Sequence, residues 1–244
     1  MSKRAGPPDQ RGSGTAVPGP VLLEQTWADA VFLHWRIPAP AAASRLPPGT
    51  EPDVFEGVTW LGLIGFRVPA TRLGTVLPLP WLGSFTEVNV RLYTRDRGGR
   101  QGVVFLSLDA SRLGFVLAAR AAGLPYVWSR CRPAAAGPAQ GCGYDVERRR
   151  GTAASRFAVL PDLGREAADP LSLWLTARFG LHHRLAGRTL YLPNAHRPWP
   201  LHPAVLGRLE DGLLAAAGFA VQGPPDSVLF SPGVRARFGR PALH

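Results

Sequence analysis

The sequence predicts a mainly β protein in which a β-barrel or strongly curved sheet carries a few helices at its ends. Short segments rich in β-branched and aromatic residues recur along the chain, and frequent turns separate them, with 28 Gly and 25 Pro in 244 residues. Hydrophobic residues make up 45% and charged residues 18%, as in globular proteins. Residues 1–20, rich in Gly, Pro and polar residues, are expected to form a disordered N-terminal tail, and residues 21–244 a single domain.

The first half of that domain is predicted to be mostly sheet. Residues 31–37 are strand-like, and the Pro-rich stretch after them allows only a short helix near residues 41–45. Hairpin-connected strands then follow, punctuated by Gly and Pro. They are predicted over residues 53–55, 58–67, 86–94 and 102–108.

One predicted strand, residues 86–94, alternates polar and apolar residues. Because successive side chains of a strand point to opposite faces, Glu87, Asn89, Arg91 and Tyr93 share one face. That face is unusually polar.

The clearest helix is predicted over residues 111–122, with Ser111 as its N-terminal cap and Gly123 ending it before Pro125. A second helix over residues 171–179 is preceded by Asp169 as its cap and by Pro170 at its first position. The remaining segments are predicted to be strands: residues 126–130, 144–150, 155–160 and 227–238, with a hairpin over residues 178–192.

The charge balance is strongly basic, +11, and Lys3 is the only lysine among 28 basic residues. A basic chain can bind polyanions, but aromatic residues that would stack on bases are not interleaved with the densest arginine run, residues 148–150. Specific nucleic-acid binding is therefore not expected. No apolar run is long enough to cross a bilayer and no signal-peptide core precedes the domain, so we expect a cytoplasmic protein that does not bind membranes.

No metal site and no cofactor are predicted. Cys131 and Cys142 lack CxxC spacing and are expected to be free thiols in a Pro/Ala/Gly-rich loop. The spacings of His182, His183, His196 and His202 fit no familiar zinc motif. GxSxG, Walker and dinucleotide motifs do not occur either.

Five motifs together resemble the YqjF-like family of uncharacterised bacterial proteins, a domain of unknown function, in order and in spacing. They are FLHWRIP at residues 32–38, LPPG at 46–49, PWLGSFTEVNVR at 80–91, FLSLDA at 105–110 and RPWPL at 197–201. More distantly, the chain resembles acetoacetate decarboxylase, which implies a decarboxylase-like barrel.

The resemblance to acetoacetate decarboxylase also implies two site residues. Residues 85–88 are similar to the motif that supplies an active-site glutamate, here Glu87. Residues 123–126 are similar to a Gly-x-Pro-Lys motif, but Tyr126 occupies the lysine position. A Schiff base requires a neutral primary amine, which tyrosine lacks. Schiff-base decarboxylation is therefore excluded.

A cavity inside such a barrel is predicted to be the functional site. Glu87 and Tyr126 are its candidate catalytic residues, since a buried glutamate is a general acid or base near neutral pH. Arg91 or Arg36 can bind a carboxylate through two parallel hydrogen bonds. The other candidate ligand-binding residues are Asn89, His34, Trp81, His196 and Trp199.

Two functional hypotheses remain open. In the first, the protein is a lysine-independent enzyme acting on a small organic acid or carbonyl compound. In the second, it is a non-catalytic ligand-binding or scaffold protein, in which Glu87 and Arg91 form a buried ion pair that organises the fold. Arginine-mediated association with nucleic acid ranks third, and the oligomeric state is left open.

Overall fold

The computed structural model describes residue 14 and residues 16–135 and 141–243. Residues 1–13 and 15 of the predicted tail, with Lys3, lie outside the described part. Residues 16–20 contain neither helix nor strand. Within the described part, no helix is long and apolar enough to cross a membrane.

The chain forms a curved, mainly β structure, which confirms the predicted fold class. Fourteen strands join in one mixed sheet of the described residues. The strands are β1 (Leu23–Ile37), β2 (Thr50–Pro52), β3 (Thr59–Leu73), β4 (Leu77–Pro78), β5 (Phe85–Asp96), β6 (Gln101–Ala110), β7 (Tyr126–Ala135), β8 (Cys142–Arg148), β9 (Ala154–Pro161), β10 (Gly180–Leu185), β11 (Arg188–His196), β12 (His202–Asp211), β13 (Ser227–Phe238) and β14 (Ala242–Leu243).

The strand pairings close on themselves in two circuits that share β13, β1, β3, β5 and β6. The first circuit returns from β6 through β10 and β11 to β13, and the second returns through β7, β8, β9 and β12. Only the β6–β7 and β6–β10 pairs are parallel; the other pairs of the described sheet are antiparallel.

The shared strands present a different face to each circuit, as the two-residue period of a strand requires. Val31, Leu63 and Val88 point into an apolar core that β8 and β9 complete with Tyr144 and Phe157. The alternate residues point into the first circuit. They include Phe32, Ile64, Glu87 and Asn89, which line a cavity there.

Four helices accompany the sheet in the described part: α1 (Ala39–Ala43), α2 (Leu113–Ala121), α3 (Pro170–Thr176) and α4 (Leu213–Ala216). The predicted cap of α3 is confirmed, because the Asp169 carboxylate accepts from the Ser172 amide at 3.0 Å. The predicted cap of α2 is wrong. Arg112 precedes that helix, and the Ser111 hydroxyl instead accepts from the Thr86 amide at 3.1 Å, which ties α2 to β5.

Other local predictions need correction. Residues 53–55 are not a strand: β2 ends at Pro52, and Phe55 makes only an isolated bridge to Val58. Strand β12 was not predicted, although it pairs with β9 along most of its length. Cys131 and Cys142 lie in the paired strands β7 and β8 rather than in a loop, and both are free.

Candidate functional site

A cavity of about 280 Å³ lies within the first circuit, and residues from all seven of its strands line it. Its wall is mainly aromatic and aliphatic, with few polar side chains, as in many small-molecule sites. The apolar wall includes Trp27, Phe32, Phe66, Phe105, Phe115 and Leu124. The polar groups include Glu87, Asn89, Arg91, Tyr126, Arg178 and His196.

Glu87 forms the acidic end of the cavity. Strand β5 points its side chain inward, and the first residue of β7, Tyr126, donates its hydroxyl to Glu87 Oε2 at 2.8 Å. The Asn89 amide donates to Oε1 at a longer 3.3 Å. Both predicted catalytic residues therefore meet in the cavity, although the chain separates them by 39 positions.

The environment of Glu87 shifts its ionisation towards neutral pH. Burial raises the pKa of this carboxyl to about 7, since the hydrogen bonds from Tyr126 and Asn89, which favour the charged form, only partly offset the loss of hydration. The pKa of Tyr126 is raised well above its ordinary value by burial and by the neighbouring carboxylate. Near pH 7, Glu87 can thus exchange a proton while Tyr126 stays a hydrogen-bond donor.

Arg91 belongs to a separate, cationic end. Its guanidinium donates to the Tyr93 hydroxyl at 2.9 and 3.2 Å and to the Leu175 carbonyl at 3.1 Å. His34 is fully buried behind Tyr93, with Nε2 at 2.7 Å from the same hydroxyl, and it does not line the cavity. Burial and the nearby Arg91 hold the pKa of His34 well below its usual range. His34 therefore supports Arg91 through Tyr93 as a neutral imidazole.

Arg178 is a second arginine of the cavity and is buried, and the sequence did not reveal it. It follows α3, stacks 4.0 Å from the centre of the Trp174 ring and forms an ion pair with Asp53. Burial lowers its pKa, against the opposing effect of Asp53. A buried arginine has no local sequence signature, because its acidic partner lies 125 positions away.

His196 and Trp199 both line the cavity. Trp199 stacks on Trp27 at 5.7 Å between ring centres and packs edge-on against Phe32 at 5.2 Å. The His196 ring lies against Trp199, and its Nδ1 lies 2.7 Å from the Arg197 carbonyl. Burial lowers the pKa of His196, so near neutral pH this nitrogen donates as part of a neutral ring.

Two predicted ligand-binding residues lie elsewhere. Arg36 is exposed beyond the cavity, where it contacts Trp60 and Asp226, because β1 has left the cavity wall at that point. Trp81 is 83% exposed in the turn after β4 and does not line the cavity.

The predicted Glu87–Arg91 ion pair does not form. The two side chains share a strand face, but four residues of extended strand separate their Cα atoms by about 13 Å. Each finds other partners: Glu87 binds Tyr126 and Asn89, and Arg91 binds Tyr93 and Leu175.

Three buried polar atoms on residues that line the cavity have no hydrogen-bond partner among the described residues: Asn89 Oδ1, Arg178 Nη2 and Asn194 Oδ1. Buried polar atoms are rarely left without partners in folded proteins. No group of three or more His, Cys, Asp or Glu side chains in the described part is placed to hold a metal ion.

The model of the DUF2071 family, described as an uncharacterized conserved protein, matches residues 24–235. The chain belongs to this family. This DUF2071 protein is 28% identical to the uncharacterized protein YqjF of Bacillus subtilis strain 168 over 187 residues, which cover 75% of this chain and 76% of the relative. The predicted resemblance to YqjF-like proteins is confirmed.

Solved structures similar to this DUF2071 protein include decarboxylase-like proteins. An acetoacetate decarboxylase-like enzyme from Sphingomonas wittichii RW1 is 14% identical with a TM-score of 0.64, covering 91% of this chain and 92% of that one. The enduracididine biosynthesis enzyme MppR, in complex with pyruvate, is 17% identical with a TM-score of 0.60, covering 96% and 94%. At these identities, the likeness establishes the acetoacetate decarboxylase-like fold alone.

Proposed function

We propose that this DUF2071 protein binds a small organic acid or carbonyl compound in the cavity of the first circuit. One observation carries the proposal: the mainly apolar wall of the cavity carries a small set of polar side chains, among them Glu87, Arg91 and Arg178. Small-molecule sites in proteins commonly have this composition, an apolar pocket in which a few polar groups orient the ligand. The solved complex of the similarly folded MppR with pyruvate is consistent with such a ligand.

We further propose that Glu87 exchanges a proton with the bound compound and that Tyr126, whose hydroxyl donates to Glu87, holds this carboxyl in position. A pKa of about 7 gives Glu87 both protonation states near neutral pH, which suits a general acid or base. The reaction does not use a Schiff base, because Tyr126 has no amine and Lys3 is the only lysine of the sequence.

A non-catalytic binding protein is the second candidate. Both carboxylate oxygens of Glu87 already accept hydrogen bonds, which also suits a purely structural group. In this alternative the cavity binds the ligand, and Glu87 transfers no proton to it or from it.

Thermal unfolding with pyruvate, phenylpyruvate and acetoacetate tests the binding proposal. At a concentration 100 times the dissociation constant, a ligand of the cavity stabilises the fold by about 2.7 kcal/mol. We expect Glu87→Gln to reduce this stabilisation and Glu166→Gln, at an exposed position, to preserve it. If none of these compounds, nor a wider set of aliphatic and aromatic acids, stabilises the protein, the proposal is wrong.

Hydrogen–deuterium exchange at the carbon next to the carbonyl, followed by NMR in D₂O, separates the two candidates. Proton transfer by Glu87 predicts catalysed exchange that falls about 10²–10⁴-fold in Glu87→Gln. Binding without catalysed exchange favours the non-catalytic alternative.

A further inference from the structure

The cationic end of the cavity carries more positive than negative charge. Arg178 pairs with Asp53, whereas the partners of Arg91 among the described residues are a hydroxyl and a carbonyl, both neutral. Two guanidinium groups that line one cavity, of which only Arg178 has an acidic partner among the described residues, form a site that attracts an anion.

The acidic end lies well away from this anion site. Glu87 and Arg91 are about 13 Å apart at Cα along β5. Arg91 reaches towards Tyr93, the next inward residue of the strand, and so away from Glu87. One small functional group therefore cannot contact both ends.

The space between the two ends is apolar. The Phe32 ring lies 5.8 Å from Cζ of Arg91, and Ile64 and Phe105 from the neighbouring strands line the same cavity. Such a wall stabilises an aromatic or branched aliphatic group and excludes a charged one.

We propose that the ligand is an elongated monocarboxylate whose carboxylate binds Arg178 and Arg91, whose apolar body packs against Phe32 and Phe105, and whose distal hydroxyl or carbonyl oxygen reaches Glu87 and Tyr126. The inference rests on the proposed function and narrows its substrate class. It disfavours a short 2-oxo acid such as pyruvate, in which the carbonyl group is adjacent to the carboxylate and cannot lie at the opposite end.

Calorimetric titration of the wild-type protein with four probes tests this arrangement. 3-(4-Hydroxyphenyl)propionate carries both end groups, 3-phenylpropionate lacks the distal oxygen, 3-(4-hydroxyphenyl)propanamide lacks the charge, and pyruvate lacks the body. Since each lost contact leaves a buried polar group unpaired, we expect the first probe to bind at least about tenfold more tightly than each of the others. Binding of the amide or of pyruvate as tight as that of the hydroxylated acid would overturn the inference.

Two variants test which residue binds which end of the ligand. Each is judged by the ratio of its affinities for two probes, because a general loss of stability does not change such a ratio. Arg178→Lys is expected to reduce the preference for the acid over the amide, because lysine keeps the charge but cannot form the planar pair of hydrogen bonds. Glu87→Gln is expected to reduce only the preference for the hydroxylated over the unsubstituted acid. Arg188→Lys, at an exposed position, serves as the control and should change neither ratio.

The outcomes also separate the inference from the proposed function. Binding of pyruvate but of none of the three aromatic probes overturns the elongated ligand and leaves a small-acid cavity in place. If no organic acid binds at all, both proposals fail.

Discussion

Asp53→Ala is expected to lower the free energy of unfolding by about 3–5 kcal/mol, because it leaves the Arg178 guanidinium buried without its counterion. Arg178 is 4% exposed and cannot regain water without displacing Trp174, on which it stacks. Asp53 also accepts from the Gln101 amide at 2.9 Å, so the substitution removes a second hydrogen bond. Urea-induced unfolding followed by tryptophan fluorescence measures the change.

The exposed ion pair between Arg95 and Glu51 provides a matched control. Its atoms are 2.7 Å apart, yet both side chains are about half exposed, so Glu51→Gln should change stability by less than about 1 kcal/mol. The double variant Asp53→Ala/Arg178→Met should recover much of the loss, since it removes the uncompensated charge together with its partner. If the double variant loses more free energy of unfolding than the two single variants lose together, the buried charge is not the cause.

Glu87→Gln is expected to make the protein more stable than the wild type above pH 7, by on the order of 3 kcal/mol. The folded-state pKa of Glu87 is about 7 and its ordinary value is 4.5, so between these pH values the folded state binds more protons than the unfolded state. The wild type therefore loses stability as the pH rises from 4.5 through 7. Glutamine does not titrate, so the variant does not lose stability in this way as the pH rises.

The difference between the two proteins, measured by urea unfolding from pH 4 to 8.5, isolates this effect. His34 and His196 have lowered pKa values and contribute a slope of opposite sign, but they are present in both proteins and cancel. Tyr126→Phe serves as a second probe. It removes a hydrogen bond that favours the charged carboxylate and so raises the pKa of Glu87 further, and the loss of stability should extend to higher pH and become larger in total. A stability difference between Glu87→Gln and wild type that does not change over this pH range would contradict the burial of an ionisable Glu87.

Much of the local structure could be predicted from the sequence. The polar face of β5 is visible in the alternation of Glu87, Asn89 and Arg91, because a strand imposes a two-residue period. Asp169 and Pro170 mark the start of α3, because the cap is a contact between near neighbours in the chain. Strand β12 escaped prediction, since its burial pattern is irregular and only its pairing with β9 defines it.

The composition of the site was only partly accessible from the sequence. Glu87 and Tyr126 could be paired through their resemblance to decarboxylase motifs, and the structure brings them within 2.8 Å. Arg36 appeared equivalent to Arg91, but it lies where β1 has passed the cavity, a position that depends on the register of neighbouring strands. Arg178 could not be recognised, because its burial depends on Asp53 and Trp174 together.

The sequence by itself determined the strand-rich fold, the family motifs, the polar face of β5 and the absence of a lysine at the position of Tyr126. These features depend on residue type, on short spacings and on the alternation of a single strand. Only the tertiary structure decided which charged side chains are in contact. Glu87 and Arg91 lie apart, Asp53 forms an ion pair with Arg178, and Arg36 lies outside the cavity. Such pairings follow from the closure of the sheet, which brings together residues far apart in the chain and sets the burial that determines their pKa values.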